Sequence, residues 1–153
     1  MLKSCPICSL HGEADMQSYE IHRTDLWVLR HHPEPAPLAG WLLLDSVRHC
    51  SGPLAFNEAE AADWGRAVRD ASRLVQTITE CDRVYAIAFG EGAQHLHLHL
   101  IPRFVDDPST QAWSVAEHYR AVASGDRTPA TYENVRTLVL SARALRFDEL
   151  PDS

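Results

Sequence analysis

The stretch His95-Leu96-His97-Leu98-His99-Leu100-Ile101 alternates imidazole with leucine. Side chains on a β-strand repeat every two residues, so the pattern predicts three histidines on one face and the leucines on the other. Imidazole exchanges a proton near neutral pH, attacks electrophiles and ligates metals, so three aligned imidazoles point to metal ligation or acid/base work rather than to a solvated sheet edge. A second group with chemical content is Cys5-Pro6-Ile7-Cys8. In a reducing compartment this spacing reads as half of a zinc site or as a redox pair. A redox pair needs a strand ahead of it, for which the residues before Cys5 leave no room, so zinc with partners from elsewhere in the chain is the better reading. Of the remaining cysteines, Cys81 reads as a small buried apolar residue.

The elements that must position these groups belong to a chain of 153 residues, 45% hydrophobic and 23% charged, which fits one domain with a core of its own. A formal charge of −7 argues against a binder of nucleic-acid duplexes, which would show a basic face. Lys3 is the only lysine, so any anion contact falls to arginine, whose planar fork suits it. The longest useful apolar run is Trp41-Leu42-Leu43-Leu44, so neither a membrane span nor a signal-peptide segment is expected, and the expected compartment is the cytoplasm.

Ser9 to Asp15 reads as a polar loop, and Tyr19 to Ile21 followed by Leu26 to Leu29 as a hairpin turning at Thr24-Asp25. The prolines of His31-His32-Pro33-Glu34-Pro35-Ala36-Pro37 cannot join a ladder, which predicts a rigid loop. Gly40 to Asp45 reads as a central strand covered on both faces. Asn57 with Glu60 three residues on forms a capping box ahead of a long helix, whose buried face is Ala67, Val68, Ala71, Leu74, Val75 and Ile78. Arg83 to Phe89 pairs with the histidine strand across Gly90-Glu91-Gly92. Two late helices follow as packing elements, one capped by Ser109 and running through Trp113, Ala116 and Tyr119, the other capped by Thr128 with Pro129 in its first turn.

The histidine alternation resembles the signature of the histidine triad superfamily of nucleotide hydrolases and transferases. Pro37 to Leu44, Arg48-His49, the helix from Asn57 and the Pro102-Arg103 tail are similar in order and spacing to the same family. The resemblance implies an α+β fold: a five-stranded antiparallel sheet with a long helix packed on it, here over 1–104, followed by a C-terminal helical extension of the same domain over 105–153. It implies attack of the middle histidine, His97, on the α-phosphorus of a nucleotide conjugate to give a nucleotidyl-histidine intermediate. His99 would then donate to a phosphate oxygen or help protonate the leaving group. Substrate contacts would come from Gln94, the backbone around Gly92, and Trp41, which either stacks on a base or fills the core.

In a branch of the superfamily an N-terminal C-x-x-C, a histidine after the third strand and the first triad histidine bind structural zinc. Carried onto this chain these are Cys5, Cys8, His49 and His95, with Cys50 and His11 as rival ligands. Two positions depart from the family pattern. Trp41 stands where many members have a histidine, and the shortened loop Gly90-Glu91-Gly92-Ala93-Gln94 lacks a hydroxyl and carries a carboxylate. Three readings therefore stay open: a hydrolase or transferase, a zinc-stapled nucleotide- or protein-binding module, and a metalloenzyme using His95, His97 and His99 on one catalytic zinc. The resemblance also implies a homodimer acting on a small-molecule nucleotide.

Overall fold

The leucines of the alternation decide the layering. A computed structural model describes residues 5–145; residues 1–4 and 146–153, the outer ends of the two expected segments, lie outside the described residues. Its elements are α1 (Pro6–Gly12), β1 (Glu20–Arg23), β2 (Trp27–His31), β3 (Leu42–Ser46), α2 (Glu58–Thr79), β4 (Arg83–Ile87), β5 (His97–Arg103), α3 (Val115–Ala123) and α4 (Tyr132–Ala144). The strands form one antiparallel five-stranded sheet in the order β1-β2-β3-β5-β4. This is the α+β architecture expected, with β4 and β5 paired as a hairpin.

Leu96, Leu98 and Leu100 join Leu42 and Leu44 of β3 in one core, closed by Ala71, Leu74 and Val75 of α2. Burying each of these leucines is worth roughly 1.5–3 kcal/mol, so the leucine face anchors the strand. On the opposite face Trp41, Leu43 and Ile101 pack with Val115 of α3. α4 packs beside α2 and over β1. Helix α2 starts where the capping box puts it: Glu60 N–H donates to the Asn57 side chain and Asn57 N–H to Glu60, each at 2.9 Å. No helix among the described residues is long and apolar enough to cross a membrane.

Four local expectations change. Ser9–Asp15 is not a loop: Pro6 opens the short helix α1, and a 3-10 turn at Ala14–Ser18 follows, with Ile7 and Met16 buried beneath them. Ser109 does not cap α3, because Asp107 takes its N–H at 3.0 Å and forms a separate turn at Pro108–Thr110; Trp113 stays 89% exposed ahead of the helix. α4 begins at Tyr132, not at Pro129, because the Thr131 side chain caps it by accepting from Asn134 N–H at 3.2 Å. The histidine strand begins at His97, one pair later than the alternation implied, and His95 lies just before it.

Candidate active site and metal centre

His95 sits where the chain from β3 passes it. Its Nε2–H donates to the Ser46 carbonyl at 2.7 Å, which leaves the Nδ1 lone pair facing out, 3.5 Å from Cys5 Sγ and 3.3 Å from Cys8 Sγ. Cys8 Sγ lies 3.5 Å from His49 Nδ1. The donor atoms of Cys5, Cys8, His49 and His95 all fall within 4.8 Å of one another, which makes them a group able to hold a metal ion among the described residues. Bond lengths of about 2.3 Å to sulfur and 2.05 Å to nitrogen put tetrahedral S···N edges near ~3.6 Å, so this donor set fits zinc in spacing and in chemistry. The Ser46 contact is the outer partner that a ligating imidazole requires. Cys5 at the N-cap of α1 and Cys8 in its first turn face this point together, and Arg48, bidentate to Glu60 at 2.8 and 2.9 Å, fixes the loop that carries His49.

The rival ligands have other places. His11 Nε2–H donates to Asp45 at 2.8 Å, and Cys50 is buried, its carbonyl holding Leu96 N–H at 2.7 Å. Asp45 is fully buried and also receives Arg30 Nε at 2.6 Å. Burial opposes its charge, but the Arg30 guanidinium and His11 hold its pKa below the usual carboxylate value. This buried pair lies on the histidine face, since Asp45 stands opposite His97 in the β3–β5 register.

His97 and His99 open on a different space. They line a cavity of about 330 Å³ together with Phe89, Glu91, Gly92 and residues of α3. His97 Nδ1–H donates to the His95 carbonyl at 2.7 Å, so the Nε2 lone pair is free to attack. His99 has the opposite tautomer. The Trp41 indole N–H, which can only donate, points at His99 Nδ1 from 3.0 Å, so the His99 proton resides on Nε2. Burial, helped by nearby His97, His32 and Arg30, pushes the His99 pKa down to about 3. The ring is therefore neutral at pH 7 and presents an N–H.

Trp41 is fully buried, with its indole N–H on His99 Nδ1, and lines the cavity as the floor behind His99. Its placement depends on Gly40, at φ +90°, where an added Cβ would lie 2.2 Å from Thr79 Cγ2 at the end of α2. Gly92 lines the cavity, whereas Gln94 is exposed in the loop and is not among its lining residues. The shared catalytic metal finds no support among the described residues, because His95 Nδ1 faces the cysteines and His97 Nδ1 is taken by a carbonyl.

Sequence reasoning treated α3 as packing, yet Ala116, Tyr119 and Arg120 of that helix line the cavity. Tyr119 O–H donates to His32 Nε2 at 3.2 Å, and its ring lies 5.4 Å from Trp41 and 5.8 Å from His99. His118 Nε2–H donates to the Pro37 carbonyl at 3.0 Å, which clamps α3 to the proline loop. The lone charges in two apolar strands, Arg30 and Asp45, were the available sign of a buried pair on this face.

No protein-family model matches the sequence, and no curated protein matches it. Solved structures do. A histidine triad nucleotide-binding protein from Sulfolobus tokodaii superposes with a TM-score of 0.66 at 18% identity, covering 92% of this chain and 90% of the other. A zinc-bound histidine triad family protein from Mycobacterium smegmatis gives 0.66 at 16% identity, over 92% and 94% of the two chains. A histidine triad protein from Bradyrhizobium japonicum gives 0.62 at 20% identity, over 86% and 94%. With this sheet, these helices and the histidines so placed, the chain has the histidine triad fold.

Proposed function

We propose that the protein is a member of the histidine triad superfamily that cleaves a nucleotide conjugate at its α-phosphate through a nucleotidyl-His97 intermediate, as a hydrolase or transferase. The observation that carries this reading is the pair of opposite tautomers in one cavity: His97 with a free Nε2 lone pair, His99 with a free Nε2–H. One ring attacks while the other supports the oxygens on which charge builds up. His97 Nε2 bonds to the α-phosphorus as the bond to the leaving group breaks, and the departing atom takes the electron pair. The positive charge on the modified ring is shared with the His95 carbonyl through Nδ1–H. Water or another acceptor then attacks phosphorus, the P–N bond breaks, and its electrons return to Nε2 as the monophosphate leaves. In this reading the backbone at Gly92, which lines the cavity, supplies the loop's contact to phosphate.

In this reading Cys5, Cys8, His49 and His95 hold a structural zinc, which supplies no chemistry beyond clamping α1 and the His95 backbone. The His95 carbonyl that sets the His97 tautomer is thereby held in place. The protein is read as a cytoplasmic homodimer acting on a small-molecule nucleotide, with neither a nucleic-acid duplex nor a membrane as partner. Incubation with a dinucleoside polyphosphate and with a nucleoside phosphoramidate tests it. Monophosphate release in the wild type that falls at least about a hundredfold in His97→Ala is expected. Monophosphate formation that persists in His97→Ala rules the mechanism out, and nucleotide binding with no turnover leaves the binding module in its place.

A further inference from the structure

We infer that the group displaced from phosphorus departs as a phosphate-type oxyanion rather than as an amine, and that Arg120 is the specificity-determining residue that holds it. The inference rests on the nucleotidyl-transfer reading above and narrows its substrate class.

The first argument counts protons. Breaking a P–N bond to an amine requires that the nitrogen be protonated as it leaves, which takes a group able to give up a whole proton. An imidazole does so from its doubly protonated form. In His99 that form is blocked, because a proton on Nδ1 would face the Trp41 indole N–H at 3.0 Å, donor against donor in a buried place. His99 therefore offers a hydrogen bond and keeps its proton. The N–H of His97 is spent on the His95 carbonyl, and the Tyr119 hydroxyl on His32. An oxyanion needs no proton: the Pα–O bond breaks, the bridging oxygen keeps the electron pair, and the charge spreads over the departing phosphate.

The second argument counts charges. Arg30 is buried and bidentate to Asp45, so its charge is matched within the sheet. Among the residues lining the cavity Arg120 is the one cation and Glu91 the one anion. Ala116, Tyr119 and Arg120 stand at i, i+3 and i+4 on one face of α3, and Tyr119 is held by its hydroxyl and by both aromatic neighbours, so the helix turn that presents Arg120 is fixed. The Arg120 side chain has no hydrogen-bond or ion-pair partner among the described residues. Its planar fork suits a phosphate beyond the one attacked.

Two measurements test this on the full chain. Binding of AMP and of α,β-methylene ADP, which cannot be cleaved at that bridge, is compared in the wild type, Arg120→Gln and Arg120→Lys, with thermal midpoints checking the fold. The diphosphate analogue is expected to bind about tenfold tighter than AMP in the wild type, the gap closing in Arg120→Gln and partly returning in Arg120→Lys. In turnover, Arg120→Gln is expected to cost a dinucleoside polyphosphate at least about five times more in kcat/KM than a nucleoside phosphoramidate. Equal losses for both nucleotides, no preference in the wild type, or a wild type that binds neither overturns the assignment. If the wild type turns over neither conjugate, the transfer reading fails, and the binding comparison still decides whether Arg120 holds a second phosphate.

Discussion

His95 and His99 are the same residue type four positions apart on one alternation, and their neighbours give them opposite work. Each has one nitrogen engaged by the protein. In His95 the engaged nitrogen donates to a carbonyl, so the free nitrogen carries a lone pair and meets two sulfurs. In His99 the engaged nitrogen accepts from an indole, so the free nitrogen carries a proton and meets the cavity. Polarity of a single hydrogen-bond partner separates an imidazole able to ligate a metal from one that donates a hydrogen bond. His97 between them also donates to a carbonyl, but through Nδ1 where His95 uses Nε2, and its free nitrogen faces the cavity.

The largest effect that would break this comparison is on stability at the metal end. His95→Ala is expected to abolish stoichiometric zinc and to cost on the order of 4 kcal/mol of unfolding free energy. Chelator added to the wild type should reproduce most of that loss and should add little to the variant; denaturant melts with metal analysis check it. His99→Ala should do the reverse. Zinc content stays, and kcat falls about a hundredfold to a thousandfold as the donor to the developing charge is lost. If His99→Ala loses the metal, or His95→Ala keeps it, the division of labour is wrong.

How far this was legible beforehand follows the same line. The layering was readable from Leu96, Leu98 and Leu100, and the start of α2 from Asn57 and Glu60, because periodicity and capping are local signals. The grouping of Cys5, Cys8, His49 and His95 came through family resemblance, since residues 5 and 95 meet only through tertiary folding. The Trp41–His99 bond spans 58 positions and Tyr119–His32 spans 87, so neither leaves a trace in local pattern. The start of α4 was misplaced because Thr128-Pro129 and Thr131 both offer cap chemistry, and the Ala130 N–H bond to the Ala36 carbonyl keeps the chain extended up to Thr131. Arg120 carried no signal, being one exposed arginine among several.

A smaller effect concerns acid. Burial pushes His31 and His32 down to about 4 and His99 to about 3. The unfolded chain, at the ordinary histidine pKa of about 6.5, then binds more protons than the folded one between about 6.5 and those values. Stability from these groups is therefore present above about 6.5 and falls as pH drops toward 4. For His99 the loss between pH 7 and pH 5 is about 2 kcal/mol. Urea melts of the wild type and His99→Gln at both pH values measure it, because metal loss in acid is common to both and cancels in the difference. An equal drop in the two proteins would show that His99 takes up its proton without cost, against the donor-on-donor argument.

The smallest expected change in stability is the sharpest probe of tautomer. Trp41→Phe keeps an aromatic ring on the buried floor and removes the indole N–H, for a cost of about 1 kcal/mol. His99 Nδ1 is then left without its donor, so the ring is free to take a second proton. Around it stand His97 on β5, Arg30 on β2, Asp45 on β3, His32 after β2, and Tyr119 on α3. Nitrogen-15 chemical shifts of the imidazoles should show one Nε2–H form of His99 in the wild type across pH 5 to 8, and in Trp41→Phe a titration that begins at higher pH than in the wild type, although burial still holds it below the ordinary histidine value. Since a doubly protonated His99 can release a proton to an amine, the variant should also gain phosphoramidate cleavage relative to polyphosphate cleavage as pH falls. A wild-type His99 that already shows the Nδ1–H form would reverse the assignment of donor and acceptor at the cavity and, with it, the contrast between the two ends of the alternation.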